Sequence, residues 1–125
     1  MSKRQNAFSI LEIMIVVAII SLLAAIAIPR FVKARTRASQ NTCINNLRQI
    51  NDAIVRWSSD TRALQSDVVT PANVLPYLKR PPTCPSQSGG NFASDYGMTF
   101  VKDPPFCVSN ATLADYPHTL STNRN

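Results

Sequence analysis

The sequence contains few residues that could build a metal or catalytic centre. It has one histidine and three cysteines among 125 residues, and no two cysteines form a C-x-x-C pair. Structural zinc sites draw four ligands from closely spaced cysteines and histidines, so this scarcity argues against zinc. His118 has no neighbouring cysteine and completes no recognisable Ser-His-Asp arrangement. We therefore predict no metal, no cofactor and no enzymatic activity.

Acidic residues are also scarce. Seven Asp and Glu stand against 13 Lys and Arg, for a formal net charge of +6. Four basic residues lie close together, at Arg30, Lys33, Arg35 and Arg37. Such a run suits contact with anionic lipid headgroups or nucleic acid, and it also fits a solvated helix face beside a membrane. No aromatic residue that could stack on bases is interleaved with the run, which argues against nucleic acid.

One long apolar run stands near the start of the chain. Its 21 residues, Phe8–Ile28, include only three polar side chains, Ser9, Glu12 and Ser21. As a helix the run would span about 31 Å, close to the ~30 Å of bilayer hydrocarbon. A charge such as that of Glu12 costs roughly 2.5–3.5 kcal/mol at the centre of such a helix and less near its end. Because the run offers no partner charge, we expect the partner to come from another molecule.

The residues MSKRQNA, FSILE and the proline that follows the run carry a family resemblance. Together they resemble the N-terminus of type IV pilins and type II secretion pseudopilins, which have a short basic leader followed by a hydrophobic helix. In that family a Glu is fifth in the mature chain and a Pro is twenty-second. Glu12 and Pro29 hold those positions if the chain is cut between Ala7 and Phe8. Ala7 departs from the family, which usually has Gly there.

The resemblance implies a structural subunit rather than an enzyme. Residues 1–7 would be a leader that prepilin peptidase removes, after which Phe8 is N-methylated. Residues 8–29 would form the transmembrane and polymerisation segment, in which Glu12 and Pro29 serve assembly. Residues 30–125 would form the amphipathic half of the helix and a small extracytoplasmic domain.

The resemblance also implies a location and partners. The subunit would be held in the inner membrane as a single-pass protein, with its C-terminus outside the cytoplasm. It would then polymerise into a helical homo-oligomer, either a type IV pilus or a type II secretion pseudopilus. Its other partners would be membrane lipids and the pilus or secretion assembly platform. The Lys and Arg residues that flank the apolar run alone favour the opposite orientation, because two lie just before it and four lie just after it, within residues 30–37.

Two alternatives to this interpretation remain open. Ala25-Ile26-Ala27 has the A-x-A form of a signal peptidase site, and cleavage after Ala27 would release a soluble domain. The charge of Glu12 and the length of the apolar run argue against that processing. The second alternative is a minor protein at a filament tip that binds DNA or a surface, and it differs from a major subunit in abundance.

The sequence predicts an α+β fold with one long N-terminal helix. Apolar residues continue after Pro29 at helical spacing, so we predict a single helix from about Phe8 to Ser59. Pro29 would kink this helix rather than end it. The apolar stripe of the second half consists of Phe31, Ala34, Ala38, Cys43, Ile44, Leu47, Ile50, Ile54 and Trp57.

The remainder of the chain predicts a small domain of short elements. Thr70 followed by Pro71 is typical of a helix start and predicts a short helix over 71–79. Weak signals predict three short strands, at 91–93, 98–102 and 106–109, in a small antiparallel sheet laid on the helix.

Three cysteines permit one disulfide and one remaining thiol. Cys84 and Cys107 lie in turn-rich sequence and enclose 22 residues. A bridge between them would stabilise this region by about 3 kcal/mol in the chain-entropy model. Cys43 lies on the apolar stripe, where a cysteine acts as a small hydrophobic residue. We predict a Cys84–Cys107 disulfide; another pairing and the absence of a bridge remain open.

The family resemblance extends weakly into this second part. The residues similar to a subset of short pilin-like proteins are Cys43–Ile50, Leu75–Leu78, Cys84, Pro85, Gly89, Gly90, Cys107 and His118. They favour a pilin or pseudopilin of the major-subunit type over an unrelated domain attached to a pilin anchor.

Overall fold

A computed structural model of the chain describes residues 8–86, 89–108 and 120. The chain divides into two compact units, with the division between Arg35 and Thr36. Helix α1 (Ile10–Thr61) is 52 residues long and runs through both units. The other described elements all belong to the second unit: α2 (Pro71–Val74), a 3-10 turn (Leu75–Tyr77), α3 (Phe92–Asp95), β1 (Tyr96–Gly97) and β2 (Phe106–Cys107). The predicted α+β fold is confirmed.

The first part of α1 is apolar on all sides. Among the described residues it provides the one helix that is long and apolar enough to cross a membrane, and none of its most apolar window is buried within the chain. The hydroxyl of Ser21 donates to the carbonyl of Val17 at 2.7 Å, so this polar group is satisfied within the helix. Pro29 lies inside α1 and does not end it, as predicted.

The second part of α1 is amphipathic and carries the core of the second unit. Its buried side chains are Cys43, Leu47, Ile50, Ala53 and Ile54. Trp57 is half-buried and packs against the same cluster. The predicted stripe is therefore confirmed from Cys43 onward. Its first three members, Phe31, Ala34 and Ala38, are exposed within the described chain.

The C-terminus of α1 is closed by a residue in the left-handed conformation. Arg62 has a φ of 55°, and the N–H of Ala63 donates to the carbonyl of Ser58 at 3.0 Å. This is the Schellman arrangement, which satisfies carbonyls that the last turn of a helix leaves unpaired. A non-glycine residue fills the left-handed position here, so the helix end is not marked by the usual glycine.

The short helix after the loop begins where the sequence predicts and becomes irregular sooner. Thr70 is the N-cap, and its N–H donates to the side-chain oxygen of Asn73 at 3.0 Å. The α-helix ends at Val74 and continues as the 3-10 turn to Tyr77. Pro76 explains the change, because it has no N–H to continue the α-helical ladder.

The prediction of a strand at 91–93 is wrong. Asn91 is the N-cap of α3: its side-chain oxygen accepts from the N–H of Ser94 at 3.1 Å, and its own N–H donates to Ser94 Oγ at 3.0 Å. This reciprocal capping box satisfies backbone donors locally and fixes a helical turn. The sequence contains both capping residues at the required spacing.

The prediction of a strand at 98–102 is also wrong. Phe100 forms one isolated antiparallel bridge with Val68, and the chain then turns. The Thr99 hydroxyl donates to the Asp103 carboxylate at 3.1 Å and helps to close that turn. The third predicted strand is confirmed at Phe106–Cys107, which pairs antiparallel with Tyr96–Gly97. The sheet that forms is therefore smaller than the predicted one and lies between different segments.

Candidate assembly segment and cysteine cluster

Glu12 lies in the first turn of α1, within apolar sequence. The positive end of the helix dipole stabilises a carboxylate at this position. The next Lys or Arg along the helix is Arg30, 18 residues later, or about 27 Å along the axis. No basic side chain of the described helix can therefore reach Glu12. Pairing of Glu12 with a group on another molecule remains a prediction.

The three cysteines, which are far apart in sequence, meet in the second unit. Cys43 comes from α1, Cys84 from the loop before α3, and Cys107 from β2. Each is at most 1% exposed, and their sulfur atoms all lie within 4.8 Å of one another. The sulfurs of Cys84 and Cys107 are 3.6 Å apart. The described geometry therefore brings the predicted pair together and places Cys43 beside it.

A buried carboxylate holds the loop that carries Cys84. Asp95 is fully buried, and its Oδ2 accepts from the N–H of Cys84 at 2.9 Å. Its Oδ1 accepts from the hydroxyl of Ser94 at 3.2 Å. A Cβ atom added to Gly90 would lie 1.9 Å from Asp95 Oδ1, so the backbone can approach the carboxylate only with glycine at that position.

Tyr96 covers another side of the cluster. Its hydroxyl accepts from the side-chain amide of Asn46 at 2.8 Å and hydrogen-bonds with the Cys43 thiol. Burial raises the pKa of the Cys43 thiol, and the neighbouring sulfur of Cys84 raises it further. Burial likewise raises the pKa of the Tyr96 hydroxyl, although the hydrogen bond from Asn46 opposes that shift. Both groups are therefore neutral at neutral pH.

Comparison with known proteins bears on the N-terminal segment. Residues 2–28 match the model of the prokaryotic N-terminal methylation motif. The chain is also 48% identical over 50 residues to the type IV major pilin protein PilA of Myxococcus xanthus (strain DK1622). The chain is therefore similar to type IV pilins in part of its length, and its first 28 residues contain the prokaryotic N-terminal methylation motif. This confirms the family resemblance of the basic leader and FSILE.

These matches cover only part of this chain and part of the relative. The aligned part covers 40% of this chain and 23% of the Myxococcus pilin, so the chain matches about a quarter of that relative's length. No solved structure matches the chain significantly. The resemblance to type IV pilins therefore rests on these partial matches, and the second unit is described by its own architecture. That the chain is a structural subunit and not an enzyme remains a prediction.

Some of the predicted site residues of the N-terminal segment lie within the described part of the chain and others do not. Glu12 and Pro29 lie on α1, and Phe8 lies two residues before the first residue of that helix. Ala7 and His118 lie outside the described residues. The roles of Ala7, Phe8, Glu12 and Pro29 in processing and assembly remain predictions.

Three residues that contact the cysteines or their loop, Asn46, Asp95 and Tyr96, are not predicted from the sequence. Asn46 lies one turn of α1 from Cys43, and Tyr96 is paired with Cys107 in the sheet. Of these three residues, only the position of Asp95 could be inferred from sequence. It follows the Asn91–Ser94 capping pair and therefore lies at a fixed position in a helical turn. The other two are revealed by tertiary contacts alone.

Proposed function

We propose that this chain is a structural subunit that is held in the inner membrane by the first part of α1 and polymerises into a type IV pilus or a type II secretion pseudopilus. The observation that carries the proposal is an N-terminal methylation motif on a helix whose apolar side chains are exposed. Exposure of such an apolar surface to water is unfavourable. Lipid covers it while the subunit is in the membrane, and the same helices of neighbouring subunits cover it in the filament.

In this function, each part of the chain has its own role. Prepilin peptidase removes residues 1–7 by cutting between Ala7 and Phe8, and Phe8 is then N-methylated. Glu12 and Pro29 act in assembly. The C-terminal unit lies outside the cytoplasm, the basic residues from Arg30 onward contact lipid headgroups, and the assembly platform of the pilus or secretion system extracts the subunit.

Processing supplies the experiment that tests this function. We expect the protein isolated from a host with a prepilin peptidase to begin at N-methylated Phe8, as measured by intact mass and N-terminal sequencing. The matched control is the same chain in a host that lacks the peptidase, where it should retain Met1–Ala7. An Ala7→Gly variant should be cut at least as fast as the wild type. A mature chain that begins at Met1 or Ile28 in the competent host would contradict the proposal.

We also propose that Cys84 and Cys107 form a disulfide once the second unit reaches an oxidising compartment. Their 3.6 Å sulfur separation and the turn-rich loop between them support this pairing. Peptide mapping of the oxidised protein without reduction should show a cross-link between the peptides of Cys84 and Cys107 and a reduced Cys43. Mapping after reduction is the control. A cross-link that contains Cys43 would contradict the assignment.

A further inference from the structure

The three cysteines are unbridged in this structure, and their sulfurs are spaced much as in a metal-binding site. Tetrahedral zinc with Zn–S bonds of about 2.3 Å separates two sulfurs by about 3.8 Å. The Cys84 and Cys107 sulfurs are 3.6 Å apart, and all three sulfurs lie within 4.8 Å of one another. Shifts of less than about 1 Å would therefore place three thiolates around one zinc ion.

The three cysteines are held in place by different elements of the second unit. Cys43 is fixed on the buried face of α1. Cys84 is held by the hydrogen bond from its N–H to Asp95, and Cys107 by its pairing with Tyr96. Because these supports lie outside the sulfur atoms, an ion could bind without a rearrangement of the backbone.

We propose that the reduced chain binds one Zn²⁺ ion through the sulfurs of Cys43, Cys84 and Cys107. Each thiol gives up one proton, so three thiols, one Zn²⁺ and one water molecule as the fourth ligand yield a tetrahedral centre of charge −1 and three released protons. Thiolate ligands favour Zn²⁺ and Cu⁺ over hard cations. The divalent ion fits this cluster better, because Cu⁺ with three thiolates would leave a charge of −2 among fully buried side chains.

Zinc binding and the proposed disulfide exclude one another, because both require the sulfurs of Cys84 and Cys107. The zinc proposal concerns the reduced protein and does not depend on filament formation. Its failure in reduced protein would leave the disulfide and the pilin function intact. Failure of the disulfide assignment would leave zinc binding intact.

The experiment uses the full chain, purified in detergent under a phosphine reductant. Titration with Co²⁺ should produce a thiolate-to-cobalt charge-transfer band and intense visible bands of a tetrahedral ion, saturating at one equivalent, and Zn²⁺ should displace both. Zn²⁺ should also protect all three thiols together from alkylation, as counted by mass spectrometry. Co²⁺ bands without charge transfer, or protection of only two thiols, would overturn the proposal.

Cys43→Ser is the decisive variant, because it removes one proposed ligand and leaves the Cys84 and Cys107 dithiol intact. We expect it to weaken Co²⁺ and Zn²⁺ binding by on the order of 100-fold. Ala53→Ser is the matched control: it places a hydroxyl at another buried position of the same helix and should bind Zn²⁺ as the wild type does. Equal affinity of wild type and Cys43→Ser would overturn the proposal. The alkylation count on wild-type protein tests it without any variant.

Discussion

Replacing Glu12 with alanine is expected to reduce polymer yield by at least about tenfold, while membrane insertion and the second unit stay intact. The chain's only glutamate lies in the first turn of α1, about 27 Å from the nearest basic residue further along that helix. Cleavage after Ala7 would create an α-amine at Phe8, at a similar depth in the membrane. We propose that Glu12 pairs with that amine on a neighbouring subunit.

The expected size of the effect follows from the cost of breaking a charge pair in a low-dielectric environment. Removing one partner of a buried pair costs about 3–5 kcal/mol, because the remaining charge is left uncompensated. Each 1.4 kcal/mol changes an equilibrium constant about tenfold. The loss recurs at every subunit contact in a filament, so polymer yield should respond strongly. Pairing would also favour one register of the incoming helix over slipped ones.

Three variants separate charge from shape. Glu12→Gln keeps the volume and removes the charge, so it should fail as Glu12→Ala does. Glu12→Asp keeps the charge on a shorter side chain and should retain part of the polymer. Ser21→Ala is the matched control, because it removes a polar group from the same helix that bonds only within it, to Val17. The readouts are membrane-fraction protein and sheared, pelleted polymer. Normal polymer from the Ala and Gln variants would show that Glu12 stays hydrated and needs no partner.

Replacing Asp95 with alanine is expected to lower the free energy of unfolding of the second unit by about 2 kcal/mol. The substitution removes the acceptor of the buried Cys84 N–H, and an unpaired buried donor costs about 1–3 kcal/mol. Asp95→Asn keeps one side-chain oxygen and should be milder. Gly90→Ala should destabilise the same contact, because its Cβ would displace the carboxylate of Asp95.

The measurement is denaturant unfolding of the full chain in detergent, followed by tryptophan fluorescence. Trp57 is the only tryptophan and packs against the core of the second unit, so its emission reports unfolding there. Asp103→Ala is the matched control, because Asp103 lies in a turn and accepts from the Thr99 hydroxyl rather than from a buried backbone group. Equal midpoints for Asp95→Ala and wild type would show that the carboxylate does not hold the cysteine loop.

The long helix could be predicted from sequence because its signals are periodic and extend over many turns. The apolar run Phe8–Ile28 and the spacing of Cys43, Leu47, Ile50 and Ile54 favour the same element. Its end at Thr61 lies two residues beyond the predicted Ser59, and Arg62 takes the left-handed position that glycine usually marks. Periodicity shows which face of the helix is apolar but does not show whether the chain itself covers that face, and Phe31 on that face is exposed.

The small domain was predicted less well because short-range hydrogen bonds decide its structure. The sequence predicts a strand at 91–93, but the capping box formed by Asn91 and Ser94 makes this stretch the start of a helix. Strand pairing of Tyr96 with Cys107 depends on contacts across the loop that contains Pro104 and Pro105. The cysteine cluster likewise depends on tertiary packing. The absence of a C-x-x-C pair argues against zinc from sequence, but sequence spacing does not give the distances between sulfur atoms in the folded chain.

A helical reconstruction of filaments sheared from cells tests the central claim most directly. The proposal predicts that this chain, beginning at Phe8, repeats along the whole filament, with its α1 helices packed together. It also predicts that the Phe8 amine of one subunit lies within ion-pair distance, about 4 Å, of Glu12 in the next. A filament built of another chain, with this one confined to the tip, or a filament in which Glu12 faces no amine, would contradict it.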